Sequence, residues 1–279
     1  MLARCFVLIA VIISTLLGCS STISPDSITL STLRVLPQAL AETSGLHCNE
    51  QSMLSINDSG NAAVIYEISY EGEIVSATEI KEKNIDWEAI AADQHSIFIA
   101  DVGNNKGKRT DLSIIQYPKK NTSPTTTRAI SYAANRVSSN IPYAHDFDAE
   151  AMVAANDRLF LFSKSWRSGI AHVYDITATS ESLLPYAQIE GLPGVITGAD
   201  YDETRGVYVF VGYKSDPFGN FAAFMAQANT NFVLVNVWSL ENYQQVEGVC
   251  VDKSGDYWFT EEETKTRAAS LTKATVSSR

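Results

Sequence analysis

The stretch Trp87-Glu88-Ala89-Ile90, followed closely by the β-rich run Ser96-Ile97-Phe98-Ile99, decides the fold because the chain repeats it. Four further copies of the tetrapeptide are Thr43-Ser44-Gly45-Leu46, Ala149-Glu150-Ala151-Met152, Ile196-Thr197-Gly198-Ala199 and Val246-Glu247-Gly248-Val249. A unit of this length that carries several short strands and no helical period is typical of a β-propeller. We therefore predict an all-β, five-bladed propeller. Six blades are the alternative if the long second unit hides a blade without the motif.

The two ends of the repeat region predict how the ring closes. After Glu261-Glu262-Glu263 only residues 268–276 can supply another strand, whereas residues 27–35 have a strand-like composition ahead of the first motif. We expect the N-terminal strand to complete the last blade, because closure removes open sheet edges. The propeller is then one domain over residues 28–279.

Residues 1–18 have the features of a lipoprotein signal peptide. Arg4 gives a positive start, the apolar stretch 5–17 is too short to span a bilayer, and Leu16-Leu17-Gly18-Cys19 resembles a lipobox. We expect Cys19 to be lipidated, residues 19–27 to form a tether, and the membrane to be a partner through this anchor. Ser20 favours an outer-membrane lipoprotein of the cell envelope, with the periplasmic or the surface side left open. An ordinary signal peptide is the alternative.

The charge of the chain excludes one class of partner. The net charge is −11, and loss of residues 1–18 removes Arg4 and no acid, which leaves −12. Such a chain repels nucleic-acid phosphates, so we expect no nucleic-acid binding and favour cations or cationic groups as ligands.

Acidic residues concentrate at the repeated motif. Side chains two residues apart share one face of a strand, so Asp86 should lie beside Glu88 and Asp148 beside Glu150. Together with Glu247 these carboxylates would repel one another at the channel mouth, and Ca²⁺, which prefers oxygen ligands, would relieve the repulsion. The alternative is that each glutamate accepts backbone N–H groups of the next blade and locks the blades together.

Further candidate ligand-binding residues follow the second strand of each unit. They form the column Asp58, Asp101, Lys164, Lys214 and Glu261, to which His145 is added because it precedes three acids in His145-Asp146-Phe147-Asp148-Ala149-Glu150. The acids could instead stabilise turns, and the lysines could be solvated surface groups. His145 is a candidate metal ligand or general base.

Two cysteines remain once Cys5 is cleaved and Cys19 is modified. Cys48 and Cys250 lie in the first and last motif units, which five-blade closure makes neighbours. An oxidising compartment permits a disulfide between them, and two buried free thiols are the alternative.

Several segments resemble a known family. Asp86-Trp87-Glu88-Ala89-Ile90-Ala91, Ala100-Asp101-Val102-Gly103-Asn104-Asn105, Leu161-Phe162-Ser163-Lys164 and Ile196-Thr197-Gly198-Ala199-Asp200-Tyr201 are similar to hallmark segments of bacterial lipoproteins of the NHL/TolB-like β-propeller class. More distantly they resemble SdiA-regulated-like and esterase-like phytase propellers. The distant resemblance implies calcium binding and ester or phosphoester hydrolysis.

Three functions are consistent with these observations. The first is a lipid-anchored binding module that holds a small ligand, a glycan or an envelope protein at the channel mouth, and we favour it because no catalytic constellation is complete. The second is a calcium-assisted ester or phosphoester hydrolase. The third is a structural envelope lipoprotein. The fold alone does not distinguish them.

Overall fold

The computed structural model describes residues 27–120, 123–177, 180–216 and 218–277. The predicted signal peptide, Cys19 and the tether up to residue 26 lie outside these residues. Among the described residues, no helix is both long and apolar enough to cross a membrane.

Five four-stranded antiparallel sheets, counted over the described ranges, form the blades of a propeller and confirm the predicted fold. The first strand, β1 (Ser27–Val35), belongs to the last blade. Blade 1 consists of β2 (Thr43–Cys48), β3 (Met53–Asn57), β4 (Val64–Ile68) and β5 (Ile74–Glu79). Blade 2 consists of β6 (Trp87–Ala92), β7 (Ser96–Asp101), β8 (Ser113–Pro118) and β9 (Thr126–Ala129).

The remaining blades follow the same plan, with one small addition. Strand β10 (Ser131–Tyr132) leaves blade 2 and pairs in parallel with β14 (Ser182–Leu183), which links blades 2 and 3. Blade 3 consists of β11 (Ala149–Ala155), β12 (Arg158–Ser163), β13 (Ala171–Asp175) and β15 (Ala187–Ile189). Blade 4 consists of β16 (Val195–Asp202), β17 (Val207–Ser215), β18 (Phe221–Asn229) and β19 (Leu234–Ser239). Blade 5 consists of β20 (Val246–Val251), β21 (Tyr257–Glu261), β22 (Ser270–Ser277) and β1. Two short 3-10 helices, Gln38–Leu40 and Val137–Ser139, lie in connections.

Both ends of the described chain build the last blade. Strand β1 pairs antiparallel with β22 from Ser27 opposite Ser277 to Val35 opposite Ser270. This pairing confirms that the N-terminal strand completes blade 5, and it covers an edge of β22 that would otherwise be open to other chains.

The five inner strands β2, β6, β11, β16 and β20 surround a narrow axis. The third residue of each motif lines this axis: Gly45, Ala89, Ala151, Gly198 and Gly248. These residues are small because neighbouring inner strands almost touch. A Cβ on Gly45 would lie 2.7 Å from the Ile90 nitrogen, and one on Gly248 would lie 2.7 Å from Leu46 Cβ.

Every inner strand has a β-bulge at its motif. The register between the inner and the second strand shifts between Thr43 and Gly45, and at the equivalent place in the other four blades. The second motif residue is therefore left out of the ladder. A bulge re-aims a side chain, and here it occurs at the end of the axis where the inner strands begin. We call this end of the channel the mouth.

Apolar residues pack in the seams between blades. Trp87, Phe162, Phe210, Tyr257 and Phe259 are among the largest fully buried side chains, and they come from inner and second strands. Burying each such side chain contributes about 2 kcal/mol to folding before the loss of conformational entropy is counted. Blades 1 and 5 are also joined covalently, because a disulfide links Cys48 and Cys250 with a Cα–Cα distance of 5.3 Å.

Candidate functional site

Carboxyl groups from four blades gather at the mouth. Glu88, Glu150 and Glu247 are the bulged motif residues of blades 2, 3 and 5 and are almost fully buried. Loops at the same end bring further acids close enough to interact with them electrostatically. The set includes Glu42, Asp58, Asp86, Glu88, Asp148, Glu150, Glu247 and Glu262.

Three of these acids form a group of the size that holds a metal ion. Carboxylate oxygens of Asp58, Asp86 and Glu88 lie within 4.8 Å of one another. Two of them lie against the backbone of Gly103, because a Cβ at residue 103 would overlap the Glu88 carboxylate and the side chain of Asp86. The Gly103 nitrogen also donates to the Asp86 main-chain oxygen at 3.1 Å, which holds the loop against the acids.

A buried lysine stands next to this group. Lys164 Nζ makes an ion pair with Glu150 Oε1 and donates a hydrogen bond to the Tyr213 hydroxyl at 3.1 Å. The side chains of Lys164 and Glu150 are only 5% and 4% exposed. The second carboxylate oxygen, Glu150 Oε2, is buried and has no hydrogen-bond partner among the described residues.

Burial is the main cause of the raised pKa values of the acids at the mouth. It raises the pKa of Glu88 and of Glu247 well above the ordinary value, and the neighbouring carboxylates add to the effect. Burial likewise raises the pKa of Glu150 to about 8 and that of Asp58 to about 6. Burial alone would lower the pKa of Lys164, but Glu150, Tyr213 and Glu247 outweigh it and raise the value. Lys164 therefore stays charged while the acids around it take up protons.

Asp148 has a different role from its neighbour Glu150. Its Oδ1 accepts the backbone N–H groups of Asn104 at 2.6 Å and Ala149 at 3.1 Å, and its Oδ2 accepts the Trp166 indole N–H at 2.9 Å. These donors satisfy the carboxylate. Asp148 thus fixes the loops and the indole ring around the mouth, although the sequence grouped it with the candidate metal ligands.

The two motif positions without glutamate provide contacts between blades. The Ser44 hydroxyl donates to the Glu88 main-chain oxygen at 3.0 Å, and the Thr197 hydroxyl donates to the Val246 oxygen at 2.5 Å. Each bond joins one inner strand to the next. Contacts between blades, which were the alternative role for the motif glutamates, are thus made here by the hydroxyl residues.

Asp101 and Glu261 adjoin the acidic group but have cationic partners of their own. Asp101 pairs with Arg109 at 2.7 Å and accepts the Asp86 N–H at 3.1 Å. Glu261 pairs with Arg267 at 2.7 Å and accepts the Gln244 N–H at 2.7 Å. Each acid thus holds the segment that precedes an inner strand: Asp101 holds the one before β6, and Glu261 holds the one before β20.

His145 and Lys214 are not part of the acidic group either. Both ring nitrogens of His145 are used by the main chain: Nδ1 accepts the Phe147 N–H at 3.1 Å, and Nε2 lies 3.2 Å from the Asn105 oxygen. Lys214 is exposed on β17, where it pairs with Ala222 of β18.

Aromatic side chains flank the opposite side of the mouth. Lys164 Nζ lies 4.8 Å from the ring centroid of Trp166 and 5.2 Å from that of Tyr213. Tyr143 packs on Trp166 with centroids 5.5 Å apart, and Phe221 packs on Tyr213 at 5.1 Å. We call Tyr143, Trp166, Tyr213 and Phe221 the aromatic arc. No sequence pattern marks the arc, because its members follow no common spacing.

The axis below the mouth is nearly closed. The cavity lined by the small motif residues and Glu150 has a volume of about 10 Å³, which holds about one water molecule. A larger cavity of about 440 Å³ lies at the other end of the axis, next to His47 and Asp200. A ligand at the mouth is therefore separated from that end.

Comparison with known proteins identifies no family for this chain. No protein-family model matches the chain, and no curated protein does. Among solved structures, a luciferin-regenerating enzyme is similar over 89% of this chain and 97% of its own, with 12% identity and a TM-score of 0.49. A streptogramin B lyase is similar over 90% of this chain and 98% of its own, with 10% identity and a TM-score of 0.45. At this identity the likeness carries no argument about activity.

Proposed function

We propose that this chain is a lipid-anchored cell-envelope propeller, akin to the NHL/TolB-like lipoproteins, that binds a ligand at its mouth with the help of Ca²⁺. The observation that carries the proposal is the group formed by Asp58, Asp86 and Glu88. The lipobox-like segment ending at Cys19 supports the anchor.

The donor atoms at this site fit a hard cation. Ca²⁺ takes six to eight oxygen ligands, and three carboxylates supply up to six oxygens when they bind in bidentate fashion. The absence of a side chain at Gly103 lets the carboxylates of Asp86 and Glu88 lie against the backbone of the loop. A bound cation would offset the repulsion that the buried acids impose on one another.

Thermal unfolding of the purified chain tests the cation site. In EDTA followed by added CaCl₂, the melting temperature should rise with calcium concentration, because calcium binds the native state. Asp58→Asn and Glu88→Gln should abolish the rise. Glu79→Gln is the matched control, since Glu79 is exposed at the end of β5. A melting temperature that ignores calcium in the unmodified chain contradicts the proposal.

Calcium-assisted ester hydrolysis is the second candidate function. The observation that favours it is Glu150, whose burial raises its pKa to about 8, beside the candidate cation site. A group of this pKa is suited to accept or give a proton near neutral pH. Hydrolysis of p-nitrophenyl acetate and of p-nitrophenyl phosphate, each with calcium and with EDTA, tests it; equal rates in both conditions and in Glu150→Gln contradict it.

A further inference from the structure

The cavity at the other end of the axis is lined by two polar side chains that share one position after the motif. Its volume of about 440 Å³ lies in the range of small-molecule sites, about 300–1,000 Å³. His47 of blade 1 and Asp200 of blade 4 each follow the motif directly, and both line the cavity. The other blades carry Ala91, Val153 and Cys250 at this position. The fold thus brings an imidazole and a carboxyl group to one cavity.

The ring of His47 has hydrogen-bonding capacity that the protein does not use. Neither ring nitrogen has a hydrogen-bond partner in the part of the chain that the structure describes. Burial and the nearby charge of Lys119 lower the pKa of the ring to about 4, so the imidazole is neutral near pH 7. A neutral imidazole offers one lone pair as an acceptor and does not repel a cation. A ligand with N–H donors can therefore bond to this ring.

Asp200 supplies a second acceptor. Its Oδ1 accepts the Tyr201 N–H and its Oδ2 the Val251 N–H, each at 2.8 Å, and each oxygen keeps a further lone pair. Burial raises its pKa to about 7, and it makes no ion pair with any described residue. Above pH 7 the carboxylate is therefore ionised without a cationic partner, and an ammonium group beside it would stabilise the charged form.

The charge around the cavity favours a cationic ligand. Of the described residues, five carboxyl groups and one ammonium group line it: Glu50, Asp200, Asp202, Glu203, Asp252 and Lys253. Asp202 is paired with Arg205, which leaves four carboxyl groups against Lys253. Lys119 is not one of the described lining residues, and Asp93 offsets its charge. Above pH 7 an ammonium group would be attracted into this field and an anion repelled.

The acceptors of this cavity are too far apart for a single metal ion. Among the described residues, the group of three ligand atoms close enough to share one ion is the one at the mouth. Glu50 and Glu203 are exposed in the hairpin loops beyond β2 and β16, further from the mouth than His47 and Asp200. The small apolar side chains on the inner strands around the cavity are those of Ala92, Ala154 and Ala155. The cavity therefore offers acceptors at depth, methyl groups along the strands and carboxylates at its rim.

We propose that this cavity binds an aliphatic diamine: one ammonium group donates to His47 and Asp200, the methylene chain packs on the alanines, and the other ammonium group meets Glu203 at the rim. An ammonium group has three N–H donors and so can bond to two acceptors at once. The methylene chain gains from leaving water for an apolar wall. The inference is independent of the cation site at the mouth, because the axis between the two ends is nearly closed.

Isothermal titration calorimetry of the purified full-length chain in detergent tests this inference at pH 8, where Asp200 is ionised. The probes share a four-carbon chain and differ in charge: 1,4-diaminobutane (cationic), 1,4-butanediol (neutral) and succinate (anionic). The diamine should bind at least tenfold more tightly than the diol, and succinate should not bind. Asp200→Asn should weaken diamine binding about tenfold, because the amide keeps the size of the side chain and loses its charge.

Further variants separate the cavity from the acidic surface. Ala154→Leu narrows the cavity and changes no charge, so it should also weaken diamine binding. Ala222→Leu is the matched control and should leave the affinity unchanged, since Ala222 is exposed on β18. Glu203→Gln, an exposed position that is safe for folding, should weaken binding about two- to fivefold.

Four outcomes would overturn the inference. They are no binding of the diamine, equal binding of the diol, diamine binding that survives both Asp200→Asn and Ala154→Leu, and diamine binding that is lost in Glu88→Gln but retained in Asp200→Asn. The last outcome assigns the amine to the mouth. The calcium response of the melting temperature tests the mouth separately, so failure of one proposal does not imply failure of the other.

Discussion

Lys164 donates to Glu150 inside the mouth of the propeller, and both side chains are almost completely shielded from water. This pair connects the carboxylate half of the mouth to the aromatic arc. A lysine in such a place offsets the charge of several acids at once, so its removal should destabilise the ionised forms of other acids as well as that of Glu150.

Replacement of Lys164 should destabilise the protein in a pH-dependent way. Lys164→Met leaves Glu150 and its neighbours without their cation, and loss of one partner of a buried pair costs about 3–5 kcal/mol. The cost should be largest at pH 8 and smaller at pH 5, where the acids take up protons. Urea unfolding at both pH values measures it.

Lys214→Met is the matched control for that experiment. Lys214 lies near the end of the second strand of blade 4, and Lys164 directly follows that of blade 3, but Lys214 is exposed. Its replacement should change stability by less than about 0.5 kcal/mol. Equal effects of the two substitutions would show that Lys164 does not compensate the acids.

Stability in EDTA should fall as the pH rises from about 4.5 to about 8. Burial raises the pKa of Glu150 to about 8, that of Glu262 to about 7 and that of Asp58 to about 6 in the folded chain. Between the unfolded and folded pKa values the native state binds more protons than the unfolded state, so its stability decreases with pH. Urea midpoints across this range check it; a midpoint that rises throughout contradicts it.

Gly103→Ala should damage the mouth through sterics. The new methyl group would overlap the Glu88 carboxylate and Asp86, and forced overlap in a packed region costs about 1–3 kcal/mol. We expect a lower melting temperature in EDTA and a weaker response to calcium. Circular dichroism should show an unchanged β-sheet spectrum, and an unchanged calcium response would place the cation elsewhere.

The disulfide should make a large contribution to stability. Cys48 and Cys250 are 202 residues apart, and closing so long a loop in the unfolded chain is worth about 5 kcal/mol in the chain-entropy model. Cys48→Ala with Cys250→Ala should lower the urea midpoint accordingly. Thiol titration of the unfolded, unreduced chain carrying Cys5→Ala and Cys19→Ala should find no free thiol, and two thiols would contradict the bond.

Strand β1 should be indispensable. A chain that begins at Ser27 should fold, whereas one that begins at Leu36 leaves β22 as an open edge and removes a quarter of blade 5. We expect the shorter chain to aggregate, as unprotected edges do. Size-exclusion chromatography and circular dichroism compare the two; a monomeric, folded shorter chain would show that β1 is not needed for closure.

The fold could be predicted from the sequence because five motif copies report the blade number directly. The side-chain directions could not, because each inner strand has a bulge at its motif. In a regular strand, side chains alternate between the two faces, and this alternation predicts their directions. It fails here because the bulge leaves Glu88 without a paired residue on the neighbouring strand, which changes the direction of its side chain.

The second column of candidates shows the same effect. Asp101 and Glu261 pair directly with the first motif residue of their blades, whereas Asp58 and Lys164 come one residue after the paired position. Lys214 comes two residues after Gly212, the partner of Ile196, so the column joined residues from three registers, which face different surroundings. The residue of blade 5 that is equivalent to Asp58 and Lys164 is Glu262. It lies with the mouth acids, although it was not among the residues predicted from the sequence.

Strand β1 also determines how the molecule faces its surroundings. Ser27 pairs with Ser277, at the end of the channel where the inner strands finish and opposite the mouth. Whatever is attached to the residues that precede Ser27 is therefore attached on that side. A chain held at a surface by this route turns its acids and aromatic rings away from the surface, where large ligands in the surrounding medium can approach them.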